Sequence, residues 1–413
     1  MKKIFSVFLM LMLGFMVFGF GGTTIHVLYM AQAGYQPSDM IEMGSLFEEL
    51  TGVKVEYTFV KYDEMHDKIV TSSAVPFGTY DVVLLDLIWT AEFGEKKLVM
   101  PLDSYITPKM RKDIPPAILS AFEYKGHIWA MPFLANFQLF FYNKDYIKRA
   151  GFDGPPKTLE GLYNQMKVMK EKGIVKYPWA DSWNQKEGLV CEYVWLTGAY
   201  GGDLLDKDGK PIFNKGAGLK ALEFMVKLLK DGLADPASLV MDEPMAKDAF
   251  ISGNIAFNTN WTFQYGLMND SKVSNVVGKG VMGLIPVSEE VYKPGYETAS
   301  VSGFQGLAIP RNSKNQDSAW KFIRFVTAPV VQRAYLKEMP IWKSVQNNTW
   351  VRTVDPVMGV KAAEIASCHH RPKVPNYPEF SSILQRYIHL ALEMKMTPKE
   401  ALDKAVEEIK KLH

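Results

Sequence analysis

The chain has 413 residues, with 47 Lys and Arg against 45 Asp and Glu, 47% hydrophobic residues and nine tryptophans. That length exceeds what one hydrophobic core usually serves, so two domains are expected. The near-balance of charge argues against nucleic acid or an anionic membrane surface as the partner.

Lys2 and Lys3 precede an uncharged apolar run from Ile4 to Phe18, and Gly19-Phe20-Gly21 offers small residues where a signal peptidase reads. The run is shorter than the roughly 20 residues a membrane-spanning helix needs. Residues 1–21 are therefore expected to be a cleaved signal peptide. No cysteine follows for a lipid anchor, so the product is expected to be periplasmic or otherwise extracytoplasmic.

The segment after the leader alternates strands and helices. Ile25 to Met30 reads as a buried strand, and Ser38 to Leu50 as a helix stopped by Gly52. Val53 to Phe59 alternates as a strand, Asp63 to Thr71 is helical, and Tyr80 to Leu85 is a continuous apolar strand. This order predicts a parallel sheet with helices on its faces. A second alternating region begins after Pro132. In it Thr158 caps a helix through Met169, and Leu219 to Leu229 forms another. Thr397-Pro398-Lys399-Glu400 opens the last helix. No linker divides the chain, so the two lobes are expected to be joined by several short crossings.

Enzyme signatures are missing. There is no GxGxxG opening a helix, no GxxxxGK[ST], no GxSxG and no HExxH. Asp206-Lys207-Asp208-Gly209 lacks the glutamate of a calcium loop and reads as a turn. The adjacent His369 and His370 cannot easily face one ion, so no metal and no cofactor are expected. Cys191 and Cys368 stand far apart, and both a disulfide and two buried thiols remain open.

Several segments carry a resemblance. They begin with Leu46-Phe47-Glu48-Glu49-Leu50-Thr51-Gly52-Val53-Lys54-Val55, then Tyr80-Asp81-Val82-Val83 with Asp86, Trp89 and Phe93, then Leu98-Val99-Met100-Pro101-Leu102-Asp103. Gly126 to Pro132 leads to Phe141-Tyr142-Asn143-Lys144-Asp145 and Pro155-Pro156-Lys157-Thr158, and Gly201-Gly202 follows. Phe250-Ile251-Ser252-Gly253-Asn254-Ile255-Ala256-Phe257 precedes Trp261, and Ser313-Lys314-Asn315 precedes Ala319-Trp320-Lys321-Phe322. In this order the set resembles the carbohydrate-binding receptors of ABC importers, the extracellular solute-binding protein family that includes maltose-binding protein.

The resemblance implies an α/β fold of the two-lobed periplasmic-binding-protein type (type II), with discontinuous lobes and three hinge crossings. The N-terminal lobe would take residues 22–133 and 286–310, and the C-terminal lobe 134–285 and 311–413. It implies a non-enzymatic, monomeric receptor that traps a sugar or short oligosaccharide between its lobes and hands it to transmembrane permease subunits. The alternatives are the same fold binding a polyamine or an anion, or a secreted carbohydrate-active enzyme.

Sugars offer flat C–H faces to aromatic rings and a rim of hydroxyls to planar polar groups. Trp261, in Asn258-Thr259-Asn260-Trp261, has polar neighbours unlike those of a core tryptophan. Trp179, Asp181 and Trp183 form an aromatic–carboxylate cluster that reads equally as a short edge strand with both rings buried. Trp89 and Asp86 lie at a strand's carboxyl end, where open α/β sheets bind ligands, though Asp86 reads equally as a helix cap. The resemblance adds Asn136 at a hinge and Gln32 and Tyr35 in the loop after the first strand, which read nearly as well as turn residues; Phe304 follows the third crossover segment. It also adds Arg371 and Tyr377 in an Arg-Pro-x-x-Pro-x-Tyr stretch, in which the arginine is more often structural and the tyrosine reaches toward ligand. Trp129, Trp195 and Trp320 read as core.

Overall fold

The computed structural model describes residues 22–31 and 34–412. The predicted signal peptide, Gln32, Ala33 and His413 lie outside the described residues. In chain order the longer strands are β1 (Thr24–Met30), β2 (Lys54–Val60), β3 (Val82–Asp86), β4 (Met131–Leu134), β5 (Gln138–Asn143), β6 (Phe257–Trp261), β7 (Gly280–Gly283) and β8 (Gln305–Ala308).

The chain forms two compact units. The first holds the described residues up to Asn136 together with Gly303–Met358 and Lys373–Pro375; the second holds Phe137–Ser302, Gly359–Pro372 and Asn376 onward. A division near 134 was expected, and the chain divides after Asn136. The other divisions were expected near 286 and 310; the units divide after Ser302 and Met358, and the short segment Lys373–Pro375 returns to the first unit. Hydrogen bonds account for the first difference. The Ile285 N–H donates to Glu364 at 2.7 Å and Val287 bridges Thr158, so the segment after 286 stays with the second unit. Aromatic packing accounts for the other, because Phe322 and Phe325 sit against Phe47 at 5.4 and 5.6 Å and keep the helix Gln316–Val326 with the first unit.

The first unit is built on one mixed sheet in the order β2-β1-β3-β8-β4. β1 pairs parallel with β2 and β3, as alternation with helices predicts, while β8 enters antiparallel between β3 and β4. Local pattern gives no sign of that insertion, since Gln305 and its partner Asp86 are 219 residues apart. Every residue of β3 is buried, which is why its sequence is apolar without alternation.

The helices begin where their caps are. Gln36 and Asp39 form a reciprocal cap on the helix Pro37–Thr51, and Gly52 ends it at φ 71°, a left-handed conformation that glycine adopts without strain. Thr158 accepts the Gly161 N–H at the start of the helix Leu159–Glu171, and Thr397 accepts that of Glu400 at the start of Pro398–Ile409.

The second unit has a three-stranded antiparallel sheet in the order β6-β5-β7. The helix Glu187–Ala199 beside it has twelve of its thirteen residues buried. That explains an apolar character on all sides that no amphipathic pattern would betray. Asp206 accepts the N–H groups of Asp208 and Lys210, so the Asp206–Gly209 segment is a turn as read. Cys191 and Cys368 are both free thiols, and burial pushes each well up from the usual thiol range. Among the described residues no helix is long and apolar enough to cross a membrane.

Candidate functional site

In the first unit the carboxyl ends of the parallel strands β1, β2 and β3 lie along one edge of the sheet, the edge at which open α/β sheets take ligands. Asp86 closes β3 and is 3% exposed. Its carboxylate accepts the Ile88 N–H at 3.2 Å, which caps the short turn Leu87–Trp89, and the Tyr62 hydroxyl at 3.1 Å. Gln305 Nε2 reaches the same carboxylate at 3.5 Å. Capping and cross-element bonding thus coexist in one side chain.

Trp89 follows on that turn, buried, with its ring stacked on Tyr62 (5.6 Å between centroids, 23° between planes) and on Phe93 at 6.1 Å. Tyr62 is the half-buried end of this ladder. Sequence reading passed it over, although it stands only two residues beyond the end of β2. The strand-end rule that selected Asp86 would have found it.

Other expected positions of this unit are packed. Tyr35 is 1% exposed, tilted on Phe133 at 5.1 Å and edge-on to Tyr335. Phe304 is fully buried and its backbone carbonyl accepts the Leu87 N–H. Asn136 is half-buried, and its carbonyl accepts from Gly303. Gln32 lies outside the described residues. An open groove of about 430 Å³ is lined by Asp67, Thr71, Val75 and Tyr80 among others. It sits at the amino end of β3, a strand's length from Asp86.

In the second unit Trp261 ends β6. Of the nine tryptophans, seven are at most 7% exposed and Trp350, at 54%, stands on a helix surface; Trp261 alone is half-buried. Its backbone N–H is held by Asn260 Oδ1 at 2.8 Å, and Asn260 Nδ2 donates to the Glu243 carbonyl at 3.0 Å. Burial raises the Glu243 carboxyl above the usual carboxylate range.

Trp179, Asp181 and Trp183 are 2%, 0% and 2% exposed. Trp179 bridges Ala234 and Phe257 and stacks on Phe140 at 6.5 Å, so its ring is built into the core. Asp181 accepts the backbone N–H groups of Thr259 and Ser182 and the Thr259 hydroxyl. That hydroxyl also meets Glu192, which receives the Gln138 amide and the Trp195 indole as well. Burial raises both acids, Glu192 further through the facing Asp181. Neither Glu192 nor Thr259 had been singled out, because a glutamate in an apolar helix shows its partners only once the chain is folded.

Arg371, 3% exposed, donates to Glu187 at 2.9 Å, and the Tyr377 and Ser381 hydroxyls donate to the same carboxylate. The structure therefore ties Arg371 and Tyr377 to one internal acid. His369 meets Asp203 and His370 meets Ser302, so the two histidines diverge. No group of residues suited to a metal occurs among the described residues.

Residues 32–333 match the model of the bacterial extracellular solute-binding protein family. The chain belongs to that family. Its members bind solutes and are not enzymes. The maltose-bound MalE3 of T. maritima superimposes with a TM-score of 0.84 at 26% identity, covering 95% of this chain and all of that one. A maltotriose-binding protein of Pyrococcus abyssi is 26% identical over 82% of this chain and 72% of its own length. A probable ABC transporter-binding protein of Deinococcus radiodurans is 27% identical over 61% of this chain, and the match spans 59% of that protein. The two-lobed α/β solute-binding fold that these comparisons share is the one expected for this chain.

Proposed function

We propose that this solute-binding protein is the extracytoplasmic receptor of an ABC importer. Its solute is a sugar or short oligosaccharide, which two lobes trap and pass to the transmembrane permease subunits. The observation that carries the sugar assignment is Trp261, a half-buried indole at a strand end whose backbone is fixed by its neighbour's amide. A half-buried indole on a fixed backbone offers a flat apolar face to sugar C–H groups at reduced ordering cost. Tyr62, with Trp89 behind it and Asp86 beside it, is the corresponding aromatic and hydroxyl-binding pair of the first unit. The maltose and maltotriose bound by two relatives support the same solute class.

Capture follows from differential binding. A solute that gains contacts from a second lobe binds the closed form better than the open one, and that difference drives closure. Thermal melting of the chain from Gly22 onward against neutral and acidic mono- and oligosaccharides tests the assignment. A bound solute at 100 times its dissociation constant adds about 2.7 kcal/mol and raises the midpoint. Trp261→Ala should weaken binding of the active sugar by at least about 2 kcal/mol with the fold retained. A midpoint moved by a polyamine or an anion, and by no sugar, overturns the reading.

A further inference from the structure

Trp261 and Thr259 point to the same face of β6, and Gln138 lies directly across the ladder from Trp261 on that face. Both neighbours hold one acid from the helix Glu187–Ala199. Gln138 Nε2 donates to Glu192 Oε1 at 2.5 Å, and the Thr259 hydroxyl lies 2.7 Å from Glu192 Oε2. The same hydroxyl lies 2.7 Å from Asp181 Oδ2.

Oxygen–oxygen contacts this short are hydrogen bonds, and each requires its own proton. Threonine supplies one. The second must sit on a carboxyl group. Asp181 receives two backbone N–H groups, from Thr259 at 3.1 Å and Ser182 at 2.9 Å, which favour its anion. Glu192 receives the Trp195 indole, the Gln138 amide and, at 3.5 Å, the Ser182 hydroxyl, but no backbone N–H among the described residues, and it faces Asp181. It is therefore the acid that keeps the proton and donates through Thr259 to Asp181. Apart from each other, the two acids have only uncharged hydrogen-bond partners among the described residues.

We propose that Glu192 is a positioning residue for Trp261: it holds one proton at neutral pH and, through Gln138 and Thr259, fixes the strand that presents the ring, so that solute capture weakens in alkaline solution. The inference rests on the reading of Trp261 as a solute contact. The titratable and charged groups around this site are Glu187 and Cys191 on the same helix, Glu243 before β6, and Arg371 and Tyr377 at Glu187. His369 lies against Gly198 farther along the helix. The helix Gly216–Lys230 buries only apolar residues and glycine.

Two readouts test the proposal separately. The infrared carbonyl stretch of a protonated acid, recorded at pH 7 in a Glu364→Gln background that removes the other strongly raised glutamate, should be present. It should lose intensity in E192Q/E364Q, where Glu243 and Asp181 remain as the other raised acids. If E364Q shows no such band, the proton is disproved whatever Glu192 variants do to folding; a band of unchanged intensity in E192Q/E364Q also overturns the assignment. The dissociation constant of the sugar found by melting should rise with pH in the wild type, approaching about tenfold per unit where the proton is lost. In E192Q that dependence should vanish. An E192Q chain with the wild-type pH profile overturns the positioning role. Should W261A bind as tightly as wild type, the contact reading and the positioning role built on it fall together, and the infrared band still decides the proton.

Discussion

Glu92 of the first unit and Glu364 of the second are buried acids handled in opposite ways. In the first, Glu92 meets His66 at 2.7 Å and Lys96 at 2.6 Å, and Asp39 meets Lys337 at 2.6 Å. In the second, Asp181, Glu192 and Glu364 are each at most 1% exposed and are held by N–H groups and hydroxyls. Burial acts on Glu92 as well, but the hydrogen bonds of His66 and Lys96 hold it below the usual carboxylate range. With no cation to oppose burial, Glu364 is pushed up to about 8. Glu92, given two basic partners, is held in its charged form; Glu364, given only an N–H and a hydroxyl, holds its proton more tightly.

The consequences for stability have opposite signs. Glu92 is a stronger acid in the folded chain, so its contribution is complete above its unfolded value of 4.5 and is lost as pH falls below it. Glu364 is a weaker acid in the folded chain. The unfolded chain binds fewer protons between 4.5 and about 8, so stability falls as pH rises through that window.

The largest effect that would break this contrast is Glu364→Ala. It strips the acceptor from the buried Ile285 N–H and one partner from the Thr298 hydroxyl, which keeps the Ile285 carbonyl, and should cost roughly 3 kcal/mol in chemical denaturation. A loss under 1 kcal/mol would show that the site relaxes or admits water. Glu364→Gln sharpens the contrast instead. It should keep most of the stability near pH 7 and remove up to about 1.4 kcal/mol per pH unit of the decline between pH 5 and 8. An unaltered decline would mean that Glu364 is ionised in the folded chain.

Glu92→Gln should cost about 1 kcal/mol at pH 7 and almost nothing below pH 4, the reverse dependence. Equal cost at both pH values would assign the loss to packing. The smallest expected change is Tyr62→Phe, which deletes one hydroxyl bond to Asp86 at the edge of the first unit. It should lower stability by about 0.5 to 1 kcal/mol without altering the pH profile.

Periodicity, caps and breakers made the local elements legible. The helix Pro37–Thr51, the strand β3 and the capped final helix stand within a few residues of where apolar spacing, Gly52 and Thr397 put them. The candidate site was legible only in part. Asp86 and Trp89 followed from a strand-end rule, and Trp261 from polar neighbours around a large ring. Trp179 and Trp183 carry the same kind of pattern yet lie in the core, because loop composition does not reveal what packs over a loop.

The sequence by itself determined the order of strands and helices, their ends and the family to which the chain belongs, since these depend on contacts between near neighbours or on motifs in order. Tertiary structure alone decided that β8 would insert antiparallel between β3 and β4 and that the segment after Pro286 would stay with the second unit. It also decided that Glu192 would meet Asp181 across a single hydroxyl. Each of these joins residues distant in the chain. Their energies come from burial and hydrogen-bond geometry, which no local pattern encodes.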